Sequence, residues 1–139
     1  MRPTSFNPET DLPPIPFDER HCLLAAALKD AGLQWRPHVG CFVWDRDRQV
    51  PVDSPFPKRI YFILNLGHFM RLLGSLEEIA SKLIWLPTWH QARILCTQRG
   101  VGETRMVAVW QSSSRKPGEE LIELYEVLLE TLQRRNTPV

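Results

Sequence analysis

The sequence predicts a small α+β fold. A single domain spans residues 18–139, with a mainly antiparallel sheet of about three strands packed with about four to five helices. An extended, proline-rich arm covers residues 1–17. Three observations lead there. Several segments repeat apolar residues every three or four positions behind a capping residue, which is the pattern of an amphipathic helix. Others are short β-branched and aromatic runs of strand length. Finally, Pro3, Pro8, Pro13, Pro14 and Pro16 crowd the N-terminus, where missing backbone donors and a fixed φ oppose helix and sheet alike.

In chain order, the arm ends in Leu12, Ile15 and Phe17, apolar residues that suggest its later half docks. Asp18 can cap a helix over 19–31, whose stripe is Leu23, Leu24, Ala27, Leu28 and Ala31 and which Gly32 closes. Cys41-Phe42-Val43-Trp44 reads as a strand, Asp45-Arg46-Asp47-Arg48 as a solvated charged turn, and Gln49-Val50-Pro51-Val52 as a further extended run. Arg59–Leu64 is nearly continuously apolar, like a strand covered on both faces. Asn65 can open a short helix closed by Gly74, and Ser75 with Glu78 forms a capping box for a helix over 76–84. Pro87 stops what precedes it, and Thr88 with Gln91 caps a helix that Gly100 closes. Residues 103–111, ETRMVAVWQ, alternate Met106, Ala108 and Trp110 with Val107 and Val109, which predicts a strand. Residues 112–118 form a loop before a last helix over 119–134. That helix is acidic at its start, basic at its end, and striped with Leu121, Leu124, Tyr125, Leu128 and Leu132.

The composition limits the function classes. With 17 Lys+Arg against 16 Asp+Glu, the net charge is +1, so the basic excess that usually accompanies phosphate binding is missing. Nucleic acid is disfavoured but stays open through Arg93, Arg99, Arg105, Arg115 and Lys116. Cys22, Cys41 and Cys96 are odd in number and lack CxxC spacing, which suits reduced thiols and a cytoplasmic location. No apolar run of signal-peptide or membrane-spanning length is present, so no membrane partner is expected.

Candidate sites are few. In IWLPTWHQAR, His90 and Arg93 share a face in the first turns of a helix, where backbone donors attract anions, and Trp85 or Trp89 can supply an aromatic wall. The competing view is that the tryptophans fix the entry angle of the helix by packing. His68, just after the second strand, can act as an acid or base, and Trp44 and Tyr61 complete the ligand-binding candidates with Trp85, Trp89, His90 and Arg93. A zinc set from His21, Cys22, His38 and Cys41 is disfavoured, because adjacent helical residues point about 100° apart. The paired carboxylates Asp45 and Asp47 alternate with arginines that compete with a cation. Nothing matches a phosphate-cradling loop or a nucleophile signature, so no catalytic residue, metal or cofactor is expected. The reading is a non-enzymatic interaction or accessory module, with a protein partner or self-association through the arm. The alternative is a small enzyme or anion-binding protein around Trp89, His90, Arg93 and His68.

Overall fold

In a computed structural model, residues 6–7, 9–111 and 116–136 are described, with the side chains of 135 and 136 left aside. The elements run α1 (Glu19–Asp30), β1 (Phe42–Trp44), a single 3-10 turn (Pro57–Arg59), β2 (Ile60–Phe62), α2 (Leu66–Leu73), α3 (Leu76–Lys82), β3 (Ile84–Leu86), α4 (Trp89–Gln98), α5 (Glu103–Gln111) and α6 (Glu119–Asn136). The α+β class and the small sheet expected from the sequence are both present. The expectations for Pro3, Pro8, Arg115 and the loop at 112–115 fall outside the described residues. The chain divides into two compact units: the described residues up to Pro16 with Arg36–Trp85, and Phe17–Trp35 with the described residues from Leu86 onward.

The first unit holds the sheet, in the order β2-β1-β3, with β1 and β2 antiparallel and Val43 opposite Tyr61. Gly40 and Ile63 extend that ladder, Gly40 N–H donating to Ile63 O at 2.8 Å and Ile63 N–H to Cys41 O at 2.9 Å. By this register Cys41, Val43, Tyr61 and Ile63 share one buried face, Ile60 is buried opposite Trp44, and the helices add Phe69, Leu73 and Ile79. α2 and α3 pack on each other. Between them Gly74 takes φ +112°, and a Cβ there would come within 2.5 Å of Glu78 Oε2, the carboxylate that completes the α3 capping box. Only glycine tolerates that conformation cheaply.

The turn after β1 departs from expectation. Arg46, Asp47 and Arg48 are exposed, but Asp45 is fully buried. Its carboxylate accepts from Gln49 N at 2.8 Å, Val50 N at 2.9 Å and Arg59 Nη2 at 2.5 Å. It is an internal clasp for the loop, not a solvated turn residue, because a buried carboxylate is tolerable only when its lone pairs are filled. Residues 49–52 form no strand. Lys58 and Arg59 both have positive φ, 62° and 59°, and Arg59 is held there by Asp45 and by donating to Val50 O at 2.8 Å.

In the second unit α6 is the spine, with α1, α4 and α5 packed against it. The predicted stripe of Leu121, Leu124, Tyr125, Leu128 and Leu132 is buried throughout. α1 presents Ala25 and Ala26 among its buried residues, small side chains that allow close helix approach. His21, 1% exposed, completes an unusual capping box: Asp18 accepts from His21 N, and the His21 ring receives Asp18 N–H at Nδ1. Its Nε2 lies 3.0 Å from Gly118 O, tying α1 to the start of α6. Burial would raise the Asp18 carboxyl, yet the His21 hydrogen bonds outweigh it and hold it low.

Two assignments are corrected. Residues 103–111 form helix α5, not a strand. The residues it buries are Met106 and Val109, three apart, as a helix requires; the β-branched penalty of at most ~0.7 kcal/mol per residue is smaller than the gain from burying two large apolar side chains on α6. Ile84, expected at a helix end, belongs to β3. The arm docks less than expected: Phe17 is buried and Ile15 half-buried, but Leu12 is 92% exposed.

Candidate functional site

Thr88 opens α4 by accepting from Gln91 N at 3.2 Å, while Thr88 N–H donates to Gln91 Oε1 at 3.0 Å. Just before the cap, Pro87 O accepts from the hydroxyl of fully buried Tyr125. The start of α4 is therefore anchored to α6, which fixes where Trp89 and, one turn on, Arg93 project. On α5, burial of Met106 and Val109 leaves Val107 and Trp110 facing outward on the same helical spacing.

These residues form a cleft of about 220 Å³ lined by Trp89, Arg93, Met106, Val107 and Trp110. The Trp89 and Trp110 rings lie 5.5 Å apart between centroids and are tilted by 52°, within the range of favourable aromatic pairs. Met106 closes the floor, 3% exposed, while Trp110 is 65% exposed at the rim. Arg93, half exposed, faces Glu103 at 3.6 Å. An apolar, aromatic-walled depression with one cation at its edge can take up an apolar side chain and pair with a neighbouring carboxylate. Among the described residues that line it there is no nucleophile or base.

The sequence candidates separate. Trp44, Tyr61, His68 and Trp85 belong to the first unit and Trp89, His90 and Arg93 to the second. Trp89 and Arg93 meet in the cleft; His90 is exposed and does not line it. Tyr61 is a core residue whose hydroxyl donates to Val52 O and whose phenol burial pushes up. His68 stacks edge-on against Phe69 at 6.3 Å, as Tyr61 does on the same ring. Trp44 and Trp85 are half-buried on β1 and β3. Met106, Val107 and Trp110 escaped sequence reasoning, although Val107 and Trp110 at i,i+3 paired with Trp89 and Arg93 at i,i+4 is the spacing of two facing helices.

The other chemical groups are spent elsewhere. All three cysteines are buried; burial raises the Cys41 thiol and pushes Cys96 up to about 11, away from the thiolate that nucleophilic chemistry needs. Among the described residues no three His, Cys, Asp or Glu side chains are placed to hold a metal ion, and no helix is long and apolar enough to cross a membrane. A shallow groove beside α6 gathers Glu119, Glu123, Glu126 and Glu130 with Arg20 and Arg105. There the Arg105 hydrogen bond holds the Glu130 carboxyl below its usual range. No family model matches the chain, and no curated protein or solved structure matches it.

Proposed function

We propose that the protein is a non-enzymatic interaction module that receives a short apolar segment of a protein partner in the α4–α5 cleft, with Arg93 meeting a carboxylate beside it. The observation that carries this reading is the cleft itself. Its volume of about 220 Å³ lies below the ~300–1,000 Å³ of small-molecule sites, yet it suits one or two inserted side chains. Tryptophan and arginine, its rim residues, are those that dominate binding energy at protein contacts. The Arg93–Glu103 pair is exposed on both sides, so exchanging it for a partner's carboxylate sacrifices little.

Two further features support a binding role over chemistry or nucleic-acid recognition. The thiols are buried, and burial raises those of Cys41 and Cys96. Arg105, one of the arginines a phosphate backbone would need, is engaged by Glu130 beside an acidic groove, which would repel polyanions.

The test is a titration with a panel of octapeptides that place Leu, Phe or Trp beside Asp or Glu, followed by tryptophan emission. Saturable binding that weakens about tenfold or more in Trp110→Ala is expected. A panel in which no peptide saturates up to millimolar concentration, or in which Trp110→Ala binds as well as the parent, removes the reading.

A further inference from the structure

We infer that the occupant of the cleft is the arm of a second copy of this chain, residues 9–16, so that the protein self-associates by exchanging arms. The inference rests on the interaction reading above and names its partner.

The arm has the complementary chemistry. Glu9, Thr10, Asp11, Leu12, Pro13 and Pro14 are all exposed, and Leu12 is 92% exposed, the highest value among the exposed large hydrophobics of the described residues. A leucine left in water beside prolines gains nothing within its own chain; laid against the Trp89–Trp110 pair over Met106, it removes apolar area from water on both partners. The charges match as well. Asp11 adjoins Leu12, with Glu9 two residues before it, and Arg93 stands at the rim of the cleft. A chain that lays Leu12 into the depression carries a carboxylate toward Arg93, the one cation among the described residues that line it.

The backbone of the arm is suited to docking. Pro13, Pro14 and Pro16 hold φ near −65°, so the segment gives up little conformational freedom on binding, as with the proline-rich ligands that seat on aromatic grooves. Asp11 already orders the preceding turn, its Oδ2 accepting from Asn7 N at 2.9 Å and its Oδ1 from Thr10 Oγ1 at 3.4 Å; both contacts are exposed, and each carboxylate oxygen has a further lone pair for a guanidinium N–H. A single short arm binds weakly. Two arms exchanged within one dimer reinforce each other, because the second docking is intramolecular, and a self-complementary contact of this kind is the commonest form of homo-oligomer.

Sedimentation of the full chain, from low micromolar to several hundred micromolar, tests the inference. A concentration-dependent dimer is expected. Leu12→Asp, Asp11→Lys and Arg93→Glu should each weaken it about tenfold or more, while Asp11→Lys combined with Arg93→Glu restores it. Leu12 and Asp11 are exposed, so these variants retain the fold, and far-ultraviolet circular dichroism verifies that. The synthetic peptide of residues 9–16 should compete with the dimer. A chain that stays monomeric throughout, or a dimer indifferent to Leu12→Asp, overturns the exchange. In either case the octapeptide titration separately decides whether the cleft binds apolar segments at all.

Discussion

Replacing Tyr125 by phenylalanine isolates one hydrogen bond that positions the cleft. Tyr125 is 0% exposed and its hydroxyl donates to Pro87 O, one residue before the cap of α4. Removing the hydroxyl keeps the ring, which packs edge-on against His21 at 6.1 Å, but leaves the Pro87 carbonyl without that donor. A net hydrogen bond is worth ~0.5–1.5 kcal/mol and a stranded buried acceptor adds to the loss, so about 1.5 kcal/mol is expected at pH 8. Urea unfolding monitored by fluorescence measures this directly, and thermal melting should fall by about 5 °C. The difference also depends on pH. Burial holds the Tyr125 phenol well above its ordinary value, whereas an unfolded tyrosine ionises near pH ~10. Above that pH the unfolded wild type releases a proton that the folded protein retains. Wild-type stability then falls by up to ~1.4 kcal/mol per pH unit, and the phenylalanine variant escapes that slope. The two should therefore be nearly equal in stability around pH ~11. A gap as large at that pH as at pH ~8 would refute the claim that the folded protein keeps this phenol protonated, and no destabilisation at neutral pH would refute the anchoring of Pro87.

Other substitutions test separate parts of the chain. Asp45→Ala strands the buried Val50 donor, the part-buried Gln49 donor and the charge of Arg59, so a loss of about 3 kcal/mol is expected by urea unfolding; a loss below ~1 kcal/mol would mean the clasp contributes nothing special. Lys58→Gly relieves a φ of 62° at an exposed position. The relief of ~1–2 kcal/mol exceeds the ~0.5–1 kcal/mol of added chain freedom, which predicts a small net stabilisation. Cys96, pushed up to about 11, is on the order of one part in a thousand thiolate at pH ~8. Together with the burial of Cys22 and Cys41, this predicts that a disulfide reagent labels the native protein only as fast as it opens. Rapid stoichiometric labelling would contradict that packing.

Local signals in the sequence were legible where one residue decides the outcome. Asp18, Asn65, Ser75 and Thr88 all cap the helices they were expected to cap, because a side-chain oxygen at the right offset satisfies a backbone donor whatever surrounds it. The two aromatic runs were legible as strands, since β-branched and aromatic side chains suit a pleated surface, while their register, Val43 opposite Tyr61, was not. The misreadings arose where a distant partner decides. ETRMVAVWQ alternates like a strand, and only the apolar face of α6, absent from any local window, selects the helix. That error hid half of the cleft, since a strand would set Trp110 beside Met106 and apart from Val107. Asp45 looked like a turn residue because Arg59, fourteen positions away, supplies the charge that lets it be buried. His21 offered metal chemistry on paper and is instead a cap, a role its neighbours rather than its own type define.

The spine helix has a consequence for how the chain is made on a ribosome. Residues 36–85 are contiguous and make up most of one compact unit, so that part can close soon after leaving the exit tunnel. α1 emerges earlier yet packs on α6, which begins about 90 residues further along the chain. At ~5–20 residues per second, the apolar face of α1 waits on the order of 5–20 s for its mate. Nascent chains stalled before Glu119 should therefore hold that face open to chaperones.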